Sequence, residues 1–250
     1  MDSQIATPMC NSFMTRGRTG LERNRTTMTE YDLRNLLEPK QRKALIQKIQ
    51  VYNAATQLVK MKLKIWNTEF ETMSAHNPIH HVESRIKSPE SIEAKLRRQD
   101  LPISVEMVEQ HILDLAGVRV VCRYIDDVYQ IAKLIRNSDM QVVRIRDYIQ
   151  APKPNGYRSY HIVLRVPVQL SRGTPTVPVE VQIRTIAMDT WASLEHEILY
   201  KVKDEDRAAK QDYLRECADE LAQIDGKMQA LFQNGKALRE NFEKAQAIAE

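Results

Sequence analysis

The run Val177-Pro178-Val179-Glu180-Val181-Gln182-Ile183-Arg184-Thr185 constrains the fold more than any other part of the chain. Its strict alternation has the two-residue period of a β-strand. Val179, Val181 and Ile183 therefore share one face and Glu180, Gln182 and Arg184 the other. Three further runs rich in Val, Ile and Tyr also read as strands: Val118 to Tyr124, Gln141 to Ile149 and Ser159 to Val168. Ile125 to Asn137 reads as a crossover helix between the first two. Short helices are predicted after Ser88-Pro89, where proline suits a first turn, and from about Ser104 to Ile112. The middle of the chain, roughly 84 to 200, is thus α/β.

Acids are depleted in strands, so Glu180 in the middle of one needs a reason. A half-solvated face with an incidental acid is one. The neighbouring strands point to another, because Ser159, His161 and Arg165 alternate against Tyr160, Ile162, Leu164 and Val166, and Arg119 and Arg123 share a side. One sheet face then gathers Glu, Gln, His and several Arg, where a plain solvent face more usually carries Thr, Lys and Ser. Such a face suits anions, with a carboxylate to hold a metal.

Three flanking segments extend this pattern. In Leu113-Asp114-Leu115-Ala116-Gly117, an acid sits between apolar neighbours, followed by a glycine that allows a close turn. Asp114 either caps that turn or pairs with Glu180 to bind Mg²⁺, a hard ion that takes one or two carboxylates and shares its other positions with phosphate and water. Upstream, Arg85, Lys87, Lys95, Arg97 and Arg98 surround one predicted helix, either as solvated surface or as a phosphate clamp. The loop Lys153-Pro154-Asn155-Gly156-Tyr157-Arg158 is an ordinary turn by its Asn-Gly pair. It also offers the π face of Tyr157 to a base and the charges of Lys153 and Arg158 to its phosphates.

The ends are helical. Leu45, Ile49, Tyr52, Thr56, Val59, Leu63, Trp66 and Phe70 form a continuous helical stripe. Leu214, Cys217, Leu221, Ile224, Met228 and Leu231 form a second, with Leu238 and Phe242 after an interruption at Gly235. The two seams suit packing on each other or between subunits. Residues 1–28 lack periodicity and read as a disordered leader, within which Met28 is an alternative start. Three scattered cysteines, no run of 18 apolar residues and no signal-peptide pattern lead to the expectation of a soluble, cytoplasmic protein. Lys and Arg number 37 against 33 acids, a mildly basic balance that fits phosphorylated ligands or RNA equally well.

Taken in order, Arg85-Ile86-Lys87, Asp114-Leu115-Ala116-Gly117-Val118-Arg119, Asn155-Gly156-Tyr157-Arg158-Ser159-Tyr160-His161 and Glu180-Val181-Gln182-Ile183-Arg184-Thr185, continued by Trp191-Ala192-Ser193-Leu194-Glu195-His196, closely resemble the synthetase domain of the RelA/SpoT family. The resemblance covers about residues 45 to 205. It implies a nucleotidyltransferase-like fold of the α/β (α+β) class, a mixed β-sheet flanked by helices. It also implies Mg²⁺-dependent transfer of the β,γ-pyrophosphate of ATP to the 3′-hydroxyl of GDP or GTP, with GMP as a further acceptor to consider, in stringent-response signalling.

By that resemblance Arg85, Lys87, Lys95 and Arg98 hold ATP phosphates and Arg119 stacks on adenine. Asp114 and Glu180 bind Mg²⁺, and Glu180 also accepts the 3′-hydroxyl proton. Tyr157 stacks on guanine, while Lys153, Asn155, His161 and Gln182 position the acceptor. The absence of a His-Asp dipeptide and the short chain match the synthesis-only class, whose members are typically homotetramers. The implied organisation is a synthetase domain over 41–205 and a C-terminal helical extension over 206–250. The main rival is a noncatalytic nucleotide- or RNA-binding module, against which the two carboxylates argue. His196-Glu197 lacks the second histidine of a zinc-protease motif, since Tyr200 stands there, and no P-loop is present.

Overall fold

The computed structural model describes residues 38–200 and 204–249. The expected leader over 1–28 lies outside them. The chain begins with α1 (Pro39–Met73), followed by β1 (Ile79–Ile86), α2 (Pro89–Arg97), α3 (Val105–His111), β2 (Ala116–Cys122) and α4 (Ile125–Arg136). Then come β3 (Gln141–Asp147), β4 (Tyr160–Pro167), β5 (Thr176–Thr185), α5 (Ile186–Tyr200) and α6 (Asp204–Ala249). The strands form one sheet in the order β1-β2-β5-β4-β3. β2 and β5 run parallel; every other neighbouring pair is antiparallel.

The apolar face of the sheet is the main core. Val118, Val120, Ile162, Leu164, Val179, Val181 and Ile183 are all 1% exposed or less. α1 covers this face with the stripe read from the sequence, burying Leu45, Ile49, Tyr52, Thr56, Val59 and Leu63. α4 adds Val128, Ile131, Ala132 and Ile135. At about 1.5–3 kcal/mol for each fully buried large aliphatic side chain, this face supplies most of the driving force for folding. The small helices start where local chemistry directs: Ser88 caps α2 by accepting from the amide of Ser91, ahead of Pro89, and Ser104 caps α3 by accepting from Met107.

The opposite face is polar and in register. One row across it reads Arg85, Gly117, Glu180, Val163, Arg144. The adjacent row reads Glu83, Arg119, Gln182, His161, Arg146. Five strands thus deliver their chemistry to one surface.

β1 and α5 are elements beyond those expected from the sequence, and of the two uses open to the helical seams the packing of α6 on α1 is not the one found within the chain. On β1, His80 and His81 lie at the surface with their Nδ1 atoms 2.8 Å apart. α6 runs through Gly235 without a break and packs chiefly on α5, with α4, rather than pairing its stripe with that of α1. Among the described side chains of α6, Leu214, Ala218, Asp225 and Gln229 are buried, while Ile224, Met228 and Leu231 are 47%, 54% and 67% exposed. The start of the stripe, Leu214 and Leu221, docks together with Ala218, whereas farther along the helix polar Asp225 and Gln229 face inward in place of the apolar residues. The side chains of Leu238 and Phe242 lie outside the described residues. No described helix is long and apolar enough to cross a membrane.

Candidate active site

Glu180 sits at the centre of the polar face, 8% exposed, with both oxygens engaged. Its Oε1 lies 3.2 Å from His161 Nδ1, and its Oε2 accepts from Gln182 Nε2 at 2.7 Å. Burial pushes the carboxyl up. The hydrogen bond and charge of His161, with the bond from Gln182, outweigh that and hold it below the ordinary glutamate value. Glu180 is therefore a fixed, ionised acceptor at neutral pH.

Two cavities meet at this carboxylate. The first is lined by Arg85, Asp114, Gly117, Arg119, Gln182 and Glu180. Asp114, just ahead of β2, takes Lys87 Nζ at 2.8 Å on one oxygen and Lys95 Nζ at 2.7 Å on the other. Burial alone raises its pKa, but the two lysines reverse that and bring it down to about 2. Arg119 reaches Glu83 at 3.3 Å and Asp189 of α5 at 3.2 Å, while its buried Nε has no partner. A buried donor without a partner costs about 1–3 kcal/mol, so this cavity is built for a ligand that accepts hydrogen bonds. Gly117 keeps its floor low: a Cβ there would meet Arg85 Cγ at 3.7 Å without a clash but would stand in the opening.

The second cavity, on the far side of Glu180, is lined by Arg144, Arg146, Tyr148 and His161. Beside it Tyr157 joins a continuous network. Its hydroxyl lies 2.8 Å from His161 Nε2 and accepts from Arg184 Nη2 at 2.6 Å. Arg184 in turn donates to Gln182 at 2.9 Å and to Asp189 at 3.1 Å. A proton on Nδ1 lets His161 donate to Glu180 and accept from Tyr157. Lys153 and Arg184 lie over the Tyr157 ring, 4.6 and 5.1 Å from its centroid. A base stacking on Tyr157 must displace one of these cations or use the free part of the ring.

The structure brings Arg85, Lys87, Lys95, Asp114, Arg119, Gln182 and Glu180 to the first cavity or its rim, and His161, Tyr157 and Lys153 to the second. Asn155 stays in the loop, where its Oδ1 accepts from the Tyr157 amide at 3.2 Å and its Nδ2 lies 3.4 Å from Glu195. Arg98 is not gathered: it ends α2, exposed, with Nε 3.4 Å from its own helix at Ala94 O. Arg158 also departs from the reading, turning away to α6 instead of offering its charge to phosphates. Arg144, Arg146, Tyr148, Arg184 and Asp189 were not singled out as site residues. Alternation along β3 was a usable signal for the two arginines. Nothing local marks Asp189, which belongs to the site only because α5 folds back over β2.

The family described as a region found in RelA / SpoT proteins matches residues 84–205. GTP pyrophosphokinase YwaC of Bacillus subtilis is 43% identical over 179 residues, covering 71% of this chain and 85% of that protein. The structure of small alarmone synthetase 1 from Bacillus subtilis bound to its product pppGpp superposes with a TM-score of 0.71 at 33% identity, covering 78% of this chain and 99% of that one. The structure of the same protein bound to AMPCPP gives 0.63 at 32% identity over 77% of this chain and 99% of that one.

Proposed function

This chain belongs to the RelA/SpoT family, in its small alarmone synthetase branch, and on that premise we propose that it makes (p)ppGpp by moving the β,γ-pyrophosphate of ATP onto the 3′-hydroxyl of GDP or GTP. It is a GTP pyrophosphokinase. The observation that carries this reading is the position of Glu180, one ionised carboxylate shared by two cation-lined cavities. A group-transfer enzyme with two nucleotide substrates needs such a point. In one relative, small alarmone synthetase 1 from Bacillus subtilis, separate structures hold pppGpp and the ATP analogue AMPCPP.

The Asp114 cavity suits the donor. Arg85, Lys87 and Lys95 supply phosphate-binding charge, Arg119 the planar group for adenine, and Arg98, exposed at the end of α2, is available to a longer phosphate chain. The Tyr157 side suits the acceptor, with Lys153, Asn155, Tyr157, His161 and Gln182 around the guanosine and Arg144 and Arg146 toward its 5′-phosphates. The 3′-oxygen attacks the β-phosphorus, the bond to the α,β-bridging oxygen breaks, and AMP leaves. Glu180 orients the hydroxyl and accepts its proton. Alignment and charge neutralisation carry such a reaction, with little covalent assistance from the protein.

Asp114 and Glu180 fit Mg²⁺, being ionised oxygen donors on one cavity wall. A bound ion would neutralise charge building on the transferred group. Lys87 and Lys95, which hold Asp114 at 2.8 and 2.7 Å, are close enough to exchange that carboxylate for phosphate oxygens as donor and ion arrive. We further propose a cytoplasmic homotetramer, with the exposed Leu58, Met61 and Ile65 of α1 and the outer stripe of α6 as subunit surfaces. The division into a synthetase domain over 41–205 and an extension over 206–250 remains part of this proposal.

The direct test is incubation with γ-labelled ATP, Mg²⁺ and GDP, GTP or GMP, followed by separation of the nucleotides. A labelled 3′-pyrophosphorylated guanosine is expected. A folded, ATP-binding protein that makes none from any acceptor would replace this reading with that of a nucleotide-binding module.

A further inference from the structure

The loop that carries Lys153, Asn155 and Tyr157 closes on itself, with the Lys153 amide donating to Tyr157 O at 3.1 Å and the Gly156 amide to Lys153 O at 2.8 Å, and as a unit it is seated against α6. Gly156 at its tip is buried with φ +88°, and a Cβ there would lie 2.6 Å from the Cβ of Ala218 on α6. That approach is closer than any two side chains tolerate. It requires glycine on the loop and a small residue on the helix. Next to it Arg158 Nη1 donates to the carbonyls of Gly156 at 3.1 Å and Ala218 at 3.2 Å, and its Nη2 meets Asp219 at 2.9 Å. Trp191, 4% exposed, donates to Leu214 O at 2.6 Å and stands 6.4 Å from the Tyr157 ring. Trp191, Leu199, Leu214 and Ala218 form a small core of their own beneath the loop, apart from the main one.

We propose that α6 is the clamp that sets the acceptor-binding loop, with Ala218, Asp219 and Arg158 as positioning residues for the guanosine substrate. The RelA/SpoT region ends at residue 205, whereas every α6 partner of the loop lies beyond it. The C-terminal helix is thus part of the acceptor site. Ala218 and Asp219 act through the conformation of Lys153 to Tyr157. The donor cavity is built on β1, β2 and β5 with no contribution from α6.

This inference rests on the synthetase reading for its kinetic arm only. In the full chain, Asp219→Ala is expected to raise the acceptor KM roughly 2- to 5-fold, the scale of one exposed ion pair. The ATP KM and kcat should stay at wild-type values. Asp219→Glu keeps the charge within reach of Arg158 and should restore the acceptor KM. Ala218→Leu forces Gly156 away and should raise it about 10- to 100-fold. Hydrogen exchange reads the clamp without activity: amides between Lys153 and Tyr157 should exchange faster in Asp219→Ala, with those of β2 and β5 unchanged. Equal rises in ATP and acceptor KM, or wild-type exchange in both variants, would overturn the clamp. A wild-type protein that forms no product would sink the synthetase reading alone, and the exchange result would still decide whether the clamp exists.

Discussion

The two halves of the site around Glu180 hold their cations in different ways. On the Asp114 half, carboxylates meet the positive charges: Lys87 and Lys95 share Asp114, and Arg119 bridges Glu83 and Asp189. On the Tyr157 half rings take a large share: Lys153 lies over both Tyr148 and Tyr157, and Arg184 lies over Tyr157 while also pairing with Asp189. Ion-paired lysines are aimed before a ligand comes, and phosphate has to compete with a carboxylate for them. Cations over rings leave a flat apolar surface beside charge, which suits a base with phosphates attached. The first half is anchored in neighbouring strands, the second in a loop supported from α6.

The largest effect should come where the halves meet. Glu180→Gln keeps the shape and a hydrogen-bonding terminus while removing the charge, so both ligands should still bind with KM values near wild type. The rate should fall roughly 10²- to 10⁴-fold, the range of a lost proton acceptor, and further if a metal ligand goes with it. Pyrophosphate transfer from labelled ATP measures this directly. A variant within about tenfold of wild type would mean that the shared carboxylate is not the reacting group.

Crossed substitutions then separate the halves. Lys87→Ala leaves Asp114 with one lysine and is expected to raise the ATP KM by about 10- to 100-fold, while the acceptor KM stays nearly constant. Tyr157→Phe loses the hydroxyl shared with His161 and Arg184. It should raise the acceptor KM roughly 3- to 10-fold and leave ATP alone. Initial rates with each substrate varied in turn give both values, and equal shifts in the two KM values from either variant would dissolve the distinction between the halves.

Much of the Asp114 half was legible in the sequence because strands and caps announce themselves. Alternation placed Glu180, Gln182 and His161 on one face, and Ser88-Pro89 marked the helix that brings Lys95 to Asp114. β1 escaped because it is an edge strand, paired only to β2, and its half-exposed pattern lacks clean alternation. α6 was readable as a helix, but only Leu214 and Leu221 of its stripe lie on the docking face. Ala218, Asp225 and Gln229 bind through close approach and polar bonds, while the stripe Ile224, Met228, Leu231 faces outward. Asp189 and the redirection of Arg158 depend on helices folding back onto the sheet, which no local pattern records.

The halves should also differ under acid. Asp114 has its folded pKa depressed to about 2 from an ordinary 3.8. Its contribution is complete above the ordinary value and is lost as pH falls through the folded one. The shift corresponds to roughly 2 kcal/mol, disappearing between about pH 4 and 2. Denaturant unfolding across that window should show this loss in the wild type and its absence in Asp114→Asn. Identical slopes for the two proteins would mean that the lysine pair does not stabilise the fold.

The smallest effect concerns the support of the Tyr157 half, and its sign is opposite. Asp225 of α6 is 8% exposed and accepts from the Thr185 hydroxyl at the end of β5. Burial raises its pKa, and the Thr185 bond offsets only part of that. A raised carboxyl contributes its stability below the ordinary value and loses it as pH rises through the folded pKa, so α6 docks less favourably once this carboxyl ionises. Asp225→Asn removes the charge and keeps an acceptor for Thr185. It should stabilise the protein by about 1 kcal/mol at pH 7.5, roughly 2–4 °C in Tm, and the gain should shrink as pH falls toward about 4, because the raised wild-type carboxyl takes up its proton before an ordinary one does. Thermal melts at the two pH values decide it. A destabilised variant at pH 7.5 would mean that the ionised carboxylate is itself what holds α6 to β5, and the two halves would then share one electrostatic logic.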